Sequence, residues 1–503
     1  MKVSSAGRRL DFMGTQRNLI INIPCAETTG MMWTPQALRG LALGCFTIFP
    51  AAVAVPSAAA SQHPNIVLVL MDNFGWGEVG AYGGGALRGA PTPHIYSLAE
   101  EGLRLTNFNV EPECTPSRSS LMTGRYAART RLRTDGTYRS VWYGITKWEV
   151  TIAEMLTETE YATGWFGKWH LGDTEGRYPT GQGFDEWYGI PRSSDRAFWP
   201  DSTQYDGEGF PGARFNYVME STRGEKPKEL AVYDRAKRRL IDREITDKTI
   251  DFIQRKAAAK KPFFTLVSYT QTHEPVEPHP DYRGRTGHGD FADVLAQTDD
   301  YVGDLLDTID ALDIAEDTLF IFTADNGREG IPGSWGFTGP WRGGMFSPWE
   351  GSLRVPFLIR WPGKIPSGTV SNDIVHLVDL MPTFAAATHS ELPDDRILDG
   401  LDQLPFFLGE TENSPRESVM VYVGNELFGA KWRNWKILFK DMDTDSYAIR
   451  DLAYPSIYNL IVDPKEEVPE GNYLPDTWVD APLYQVVEDF EASLEADTGA
   501  PDD

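Results

Sequence analysis

Four short runs of nearly unbroken apolar residues constrain this chain most: Asn65–Met71 (Asn-Ile-Val-Leu-Val-Leu-Met) and residues 263–269, 319–323 and 355–360. A run of this length without polar alternation is the mark of a strand buried on both faces. Longer amphipathic stretches lie between the runs, and the alternation predicts an α/β fold in which helices flank a large, mainly parallel mixed sheet. Polar residues follow three of the runs directly: Asp72-Asn73, Thr272-His273 and Asp325-Asn326. In open α/β sheets ligands gather beyond the carboxyl ends of the strands, so these distant segments are expected to converge on one site.

Elsewhere the texture is less informative. Residues 227–260 read as a charged helix with Glu229, Arg235, Arg238 and Lys256 on solvated faces, and residues 373–387 as another helix. After Glu391 the chain becomes rich in Pro, Asp and Gly, then brings strand-like runs within 419–458, such as Trp435-Lys436-Ile437-Leu438-Phe439. The expected organisation is a catalytic domain over 61–390 and a smaller α+β domain over 391–503, whose acidic tail from Glu488 reads as partly disordered. Residues 1–60 read as a leader. Arg39 precedes an apolar run over 41–55, and Ser57-Ala58-Ala59-Ala60 offers small residues for cleavage. Pro50 and Pro56 interrupt that run, which is short for a membrane span, so export to a secreted or periplasmic location without stable membrane insertion is expected. Leu43-Gly44-Cys45 is a weak match to a lipoprotein cleavage site, but the apolar run continues past Cys45, which makes lipid anchoring the lesser alternative.

Charge and cysteines narrow the function. With 73 acidic against 47 basic residues and a formal charge of -26, the chain is a poor candidate for nucleic acid or an anionic membrane, and an anionic substrate needs a local positive pocket. Cys25 and Cys45 lie in the leader. An exported chain therefore keeps only Cys114, a liability unless buried or chemically used, and its setting among Pro, Ser and Thr weakens the buried reading.

Around that cysteine runs Cys114-Thr115-Pro116-Ser117-Arg118, followed by Leu121-Met122-Thr123-Gly124-Arg125. Together with Met71-Asp72-Asn73, Thr92-Pro93, Gly167-Lys168-Trp169-His170-Leu171-Gly172, Ala324-Asp325-Asn326-Gly327 and Trp349-Glu350-Gly351, these strings resemble the sulfatase family in kind and in order from about Pro64 to Tyr458. The resemblance implies an alkaline-phosphatase-like fold and oxidation of Cys114 to formylglycine by a formylglycine-generating enzyme. The hydrated aldehyde would offer one hydroxyl to attack sulfur and a second whose deprotonation expels sulfate; a serine would trap the ester. Residues 117–126 are expected to continue as a helix, so position 114 would sit near a helix N-terminus, which favours an anion.

The same resemblance implies roles for the other residues. Asp72, Asn73, Asp325 and Asn326 offer hard oxygens for calcium, with magnesium less suited. Arg118 would hold oxygens on the nucleophile and the metal side. Lys168 would bind a sulfate oxygen and His170 would act as the base that releases sulfate; alternation along an extended segment would turn both to one side. His273 would help protonate the leaving oxygen. Two positions depart from the family. Asn73 stands where aspartate is usual, which removes a negative charge and predicts weaker calcium binding. Met345 follows Gly343-Gly344 where a lysine is common; Arg342 would compensate, His273 would act alone, or the substrate would carry a good leaving group. Trp76, Trp142, Trp148, Trp335, Trp341 and Trp349 fall near the motif loops; core packing is the better expectation for any single one of them, and Phe346, Trp349 and Trp341 are the preferred candidates for a pocket lining. The leading expectation is an arylsulfatase-like sulfuric ester hydrolase acting on a small aryl sulfate or a sulfated carbohydrate. A phosphodiesterase or phosphonate monoester hydrolase on the same scaffold, or a catalytically silent anion-binding protein, are the alternatives.

Overall fold

The computed structural model describes residues 63–130, 144–196, 199–202, 215–330, 335–444, 446–470 and 478–497. The leader, Cys25, Cys45 and Trp142 lie outside them. In chain order the strands are β1 (Asn65–Met71), β2 (Leu103–Leu105), β3 (Phe108–Asn109), β4 (Ala162–Gly167), β5 (Glu186–Gly189), β6 (Tyr217–Thr222), β7 (Lys228–Val232), β8 (Phe263–Ser268), β9 (Thr318–Ala324), β10 (Phe357–Arg360), β11 (Thr369–Ser371), β12 (Val375–His376), β13 (Ser418–Val423), β14 (Glu426–Trp432), β15 (Trp435–Met442) and β16 (Ile449–Asn459).

The apolar runs form the middle of a ten-stranded sheet of order β11-β2-β10-β9-β1-β8-β4-β5-β6-β7. Strand β1 runs parallel to β8 and β9, and β4 runs parallel to β8 and β5; β10, β6 and β7 are antiparallel additions. Ile66 to Met71 are wholly buried, each side chain contributing roughly 1.5–3 kcal/mol of burial. The helices Ile241–Ala258, against β4 and β8, and Pro93–Glu101, against β10, help to cover the sheet. Proline at the first turn of the latter removes an N–H that would have had no partner. Strands β13 to β16 form a separate antiparallel sheet in sequential order, the C-terminal domain. The expected α/β architecture is the one observed.

Three expectations about elements need correction. Residues 227–260 open with a strand, because 228–232 pair with β6 before the helices Arg235–Arg238 and Ile241–Ala258 begin. Residues 373–387 likewise open with β12, paired to β3, and the helix proper spans Leu380–Thr388; His376 and Asp379 cap the intervening turn reciprocally. The acidic tail is helical over Asp480–Ala496, since Leu483, Val487 and Phe490 share a face buried with residues of β14 and β15.

Candidate active site

Four neighbouring strands in the order β9-β1-β8-β4 are parallel, so their carboxyl ends share one edge of the sheet. Asp325-Asn326 leave β9, Asp72-Asn73 leave β1, Thr272-His273 follow β8 and Lys168 follows β4. The backbone stitches these exits together: Asp325 N donates to Met71 O (3.1 Å), Asp72 N to Gln271 O (3.1 Å) and Lys168 N to Ser268 O (3.0 Å). Two motif glycines are required by close approach. A Cβ on Gly167, at φ 121°, would fall 1.8 Å from Ser268 O, and one on Gly327 would fall 1.9 Å from Gly351 O. The second contact ties the Asp-Asn-Gly segment to the Trp-Glu-Gly segment.

Cys114 is the first residue of the helix Cys114–Thr123, every residue of which is buried. Ser117 Oγ donates to Glu111 O (3.0 Å) and Ser120 Oγ to Glu111 Oε1 (3.1 Å), holding the entry to the helix. The thiol reaches Asp72 Oδ1 (3.6 Å) and Asn73 Oδ1 (3.4 Å). Burial pushes this thiol well above its ordinary pKa; Lys168 opposes the shift, and Asp325 and Asp72 add to it. An unmodified thiol here stays protonated and is a weak nucleophile.

Around it, opposite charges interlock. Arg118 donates through Nε to Asp325 Oδ2 (3.0 Å) and through Nη1 to Lys168 O and Ser268 Oγ (2.7 Å each). Lys168 Nζ binds Asp72 at 3.0 and 2.8 Å and Ser193 Oγ at 3.3 Å. Burial would raise the Asp72 carboxyl, but Lys168, His273 and Arg118 overcome it and hold it below the usual carboxylate range. Asp325 is shifted up by burial despite Arg118.

His170 does reach this cluster, though not by strand alternation: the chain leaves β4 at Gly167 and His170 takes a left-handed conformation at φ 60°. Its Nδ1 is buried without a hydrogen-bond partner, and burial, followed by Lys168 and Arg118, drives its pKa well below the ordinary histidine value. Burial thus favours the neutral ring, in which one of the two nitrogens is basic. His273 Nε2 lies 3.0 Å from Ser193 Oγ and its Nδ1 2.7 Å from Glu274 O. Burial lowers its pKa, but Glu329 (3.7 Å) and Asp72 reverse the shift and raise it.

Sequence reasoning missed four residues that hold this arrangement. Ser193 bridges Lys168 and His273, and Asn216 Nδ2 donates to Ser193 O (2.9 Å). Both lie in a stretch without periodic pattern. Glu329 accepts from Asn73 Nδ2 (2.7 Å) and Glu274 N (2.8 Å), and its place four residues after Asp325 was the available signal. Arg238 corrects its expected solvated setting: it is buried, donating to His273 O (2.6 Å), Pro275 O (3.1 Å) and Thr270 Oγ1, so it braces the loop that carries His273.

The residues fit a hard divalent cation. Oxygens of Asp72 and Asp325 and the sulfur of Cys114 lie within 4.8 Å of one another. Asn326 Oδ1 is buried without a hydrogen-bond partner, while its Nδ2 donates to Asn73 Oδ1 (2.8 Å). Carboxylate and amide oxygens suit calcium or magnesium, and the lone sulfur is the one donor that does not.

At the departures, Met345 N donates to Arg328 O (2.8 Å), and Arg342 does not turn to the cluster: it stacks 3.7 Å from the Trp349 ring and donates to Glu466 O (2.9 Å). Trp349 is core rather than pocket lining, fully buried with its Nε1 on Met442 O (3.2 Å). Trp341 packs on Trp76 and under Arg354, whereas Phe346 is exposed.

The family model described as Sulfatase matches residues 64–390, and one described as N-sulphoglucosamine sulphohydrolase, C-terminal, matches residues 345–467. Among curated proteins, N-acetylgalactosamine-6-sulfatase of Canis lupus familiaris is 33% identical over 399 residues, covering 77% of this chain and 74% of that protein. Arylsulfatase A of Homo sapiens is 37% identical over 380 residues, covering 72% and 71%. Among solved structures, that of the PsFucS1 sulfatase from Pseudoalteromonas sp. superimposes with a TM-score of 0.79 at 30% identity, covering 87% of this chain and 92% of that one.

Proposed function

The chain belongs to the sulfatase family, is a sulfuric ester hydrolase, and, we propose, cleaves a sulfate monoester with a formylglycine made from Cys114 as nucleophile and calcium as metal. The observation that carries this reading is the setting of Cys114: a buried thiol at a helix N-terminus, its sulfur against Asp72 and Asn73, within an oxygen-rich cluster that a soft donor does not suit. Oxidation and hydration of that side chain would replace sulfur with oxygen and supply the nucleophile. The metal, held by Asp72, Asn73, Asp325 and Asn326, would supply positive charge to the nonbridging sulfate oxygens.

Arg118 and Lys168 balance Asp72 and Asp325 in charge, so the cluster accepts an added cation and anion together without a large net charge in a buried place. Arg118 holds the carboxylate wall. Lys168, already beside Asp72 and Ser193, is placed to bind a sulfate oxygen. His170, neutral with Nδ1 free, takes the proton whose removal releases sulfate. His273, with its raised pKa, keeps a proton for the leaving oxygen, oriented by Ser193 and the Glu274 carbonyl. With Met345 unable to stabilise that oxygen electrostatically, this task falls to His273.

The proposal includes a leader over 1–60, export, maturation by a formylglycine-generating enzyme, a catalytic domain over 61–390, a C-terminal domain over 391–503, and an aryl sulfate or sulfated carbohydrate as substrate. Among the described residues no helix is long and apolar enough to cross a membrane. Exhaustive chelation tests the metal reading: turnover of 4-nitrophenyl sulfate is lost and returns with calcium more fully than with magnesium. Full activity in the stripped protein would contradict it.

A further inference from the structure

Arg328 follows the Asp325-Asn326-Gly327 segment directly and is half-buried. In a chain with 73 acidic against 47 basic residues, no carboxylate among the described residues pairs with it. Among the described residues its side chain makes one hydrogen bond, from Nη1 to Glu329 O (3.2 Å). The nearby carboxylate of Glu78 is already taken by Arg88 Nε (2.8 Å) and the Phe337 N–H. Burial accordingly holds the guanidinium below the usual arginine range.

Exposed aromatic rings neighbour this cation. The Arg328 guanidinium lies 5.7 Å from the Trp335 ring centroid, and Phe346 and Tyr447 meet edge to face at 6.5 Å. A Cβ built on Gly330 would lie 3.5 Å from Arg328 Nη1 and 3.7 Å from the Tyr447 hydroxyl, so both face the same small space. Trp335, Phe346 and Tyr447 are 57%, 42% and 43% exposed, large values for such side chains. The cluster is tied to the proposed nucleophile: Phe346 N donates to Pro112 O (2.9 Å), two residues before Cys114, and Met345 N donates to Arg328 O (2.8 Å).

We propose that Arg328, with Trp335, Phe346 and Tyr447, forms a subsite at the rim of the active site for an oxyanion on the sugar next to the one bearing the scissile sulfate. This rests on the sulfate-ester reading above and narrows it: the substrate is an anionic oligosaccharide rather than a small aryl sulfate. Aromatic faces suit sugar rings, and a planar guanidinium suits a carboxylate or sulfate bidentately. The anion could be either group, since the two present the same oxygens to the fork.

The test uses matched sulfated disaccharides whose second sugar carries a carboxylate, the alcohol obtained by reducing it, or a sulfate ester in its place. For the matured protein, kcat/KM on one of the charged compounds exceeds that on the alcohol, and Arg328→Gln lowers the ratio by about tenfold while Arg328→Lys restores part of it. The charged compound that shows the effect identifies the group. A ratio near one in the unmutated protein, or a ratio that Arg328→Gln leaves unchanged, overturns the subsite. Calorimetric binding of the same compounds reads the ratio without turnover, so a protein that hydrolyses none of them fails the sulfate-ester reading and is still scored for the subsite.

Discussion

The motif resemblance reads Asn73 as a replacement for aspartate, and its amide spans two duties: Nδ2 donates to Glu329 and Oδ1 faces Cys114 and Asn326. The lost charge is thus answered by a carboxylate 2.7 Å away rather than simply missing. Asn73→Asp would set two carboxylates against each other, and in chelator it should lower stability by about 1–3 kcal/mol. Calcium should stabilise that variant more than the parent in thermal melts; equal stability in chelator would contradict the pairing. Glu329 also raises the pKa of His273, against the effect of burial. A raised histidine contributes stability below about pH 6.5, and that contribution is lost as pH climbs through the raised value. If protonated His273 serves the leaving oxygen, Glu329→Gln should move the alkaline limb of the kcat profile to lower pH. An unmoved limb would assign the proton to another group.

At the scale of elements, the sheet's centre was legible because its strands are apolar on both faces, and the residues that leave those strands were therefore legible as a site. Segments whose state depends on a distant partner were not. Residues 228–232 carry a charged pattern suited to a helix, yet β6 recruits them as an edge strand; the acidic tail folds because Leu483, Val487 and Phe490 find an apolar face. Arg238 was misread for the same reason, since a charge run gives no sign that one member points inward. It braces Thr270, His273 and Pro275 at once. Arg238→Met should reduce kcat by on the order of tenfold to a hundredfold through misplacement of His273. Loss of thermal stability with kcat intact would make Arg238 a structural residue only.

Over the whole molecule, the C-terminal sheet is joined to the Trp-Glu-Gly segment through buried charge. Glu350, of the Trp-Glu-Gly segment, meets Lys431 Nζ (2.8 Å) and Lys436 Nζ (3.1 Å), and Lys436 also meets Glu466 (2.7 Å). Burial would raise the Glu350 carboxyl, but Lys431, Arg354 and Lys436 hold it well below its ordinary value, while Lys431 is lowered to about 7 by its own burial. Glu350→Gln leaves buried ammonium groups short of a carboxylate and should cost about 3–5 kcal/mol in urea unfolding; a cost below about 1 kcal/mol would mean the lysines are neutral or rehydrated. Gly327 packs on Gly351 one residue away, so this junction also bears on the metal-side segment. The proposed chemistry converges on position 114, the only cysteine outside residues 1–60. The most direct measurement is the mass of the peptide containing that position, from protein purified from its natural producer. The account predicts the aldehyde and its hydrate in most molecules, and an entirely unmodified thiol would contradict it.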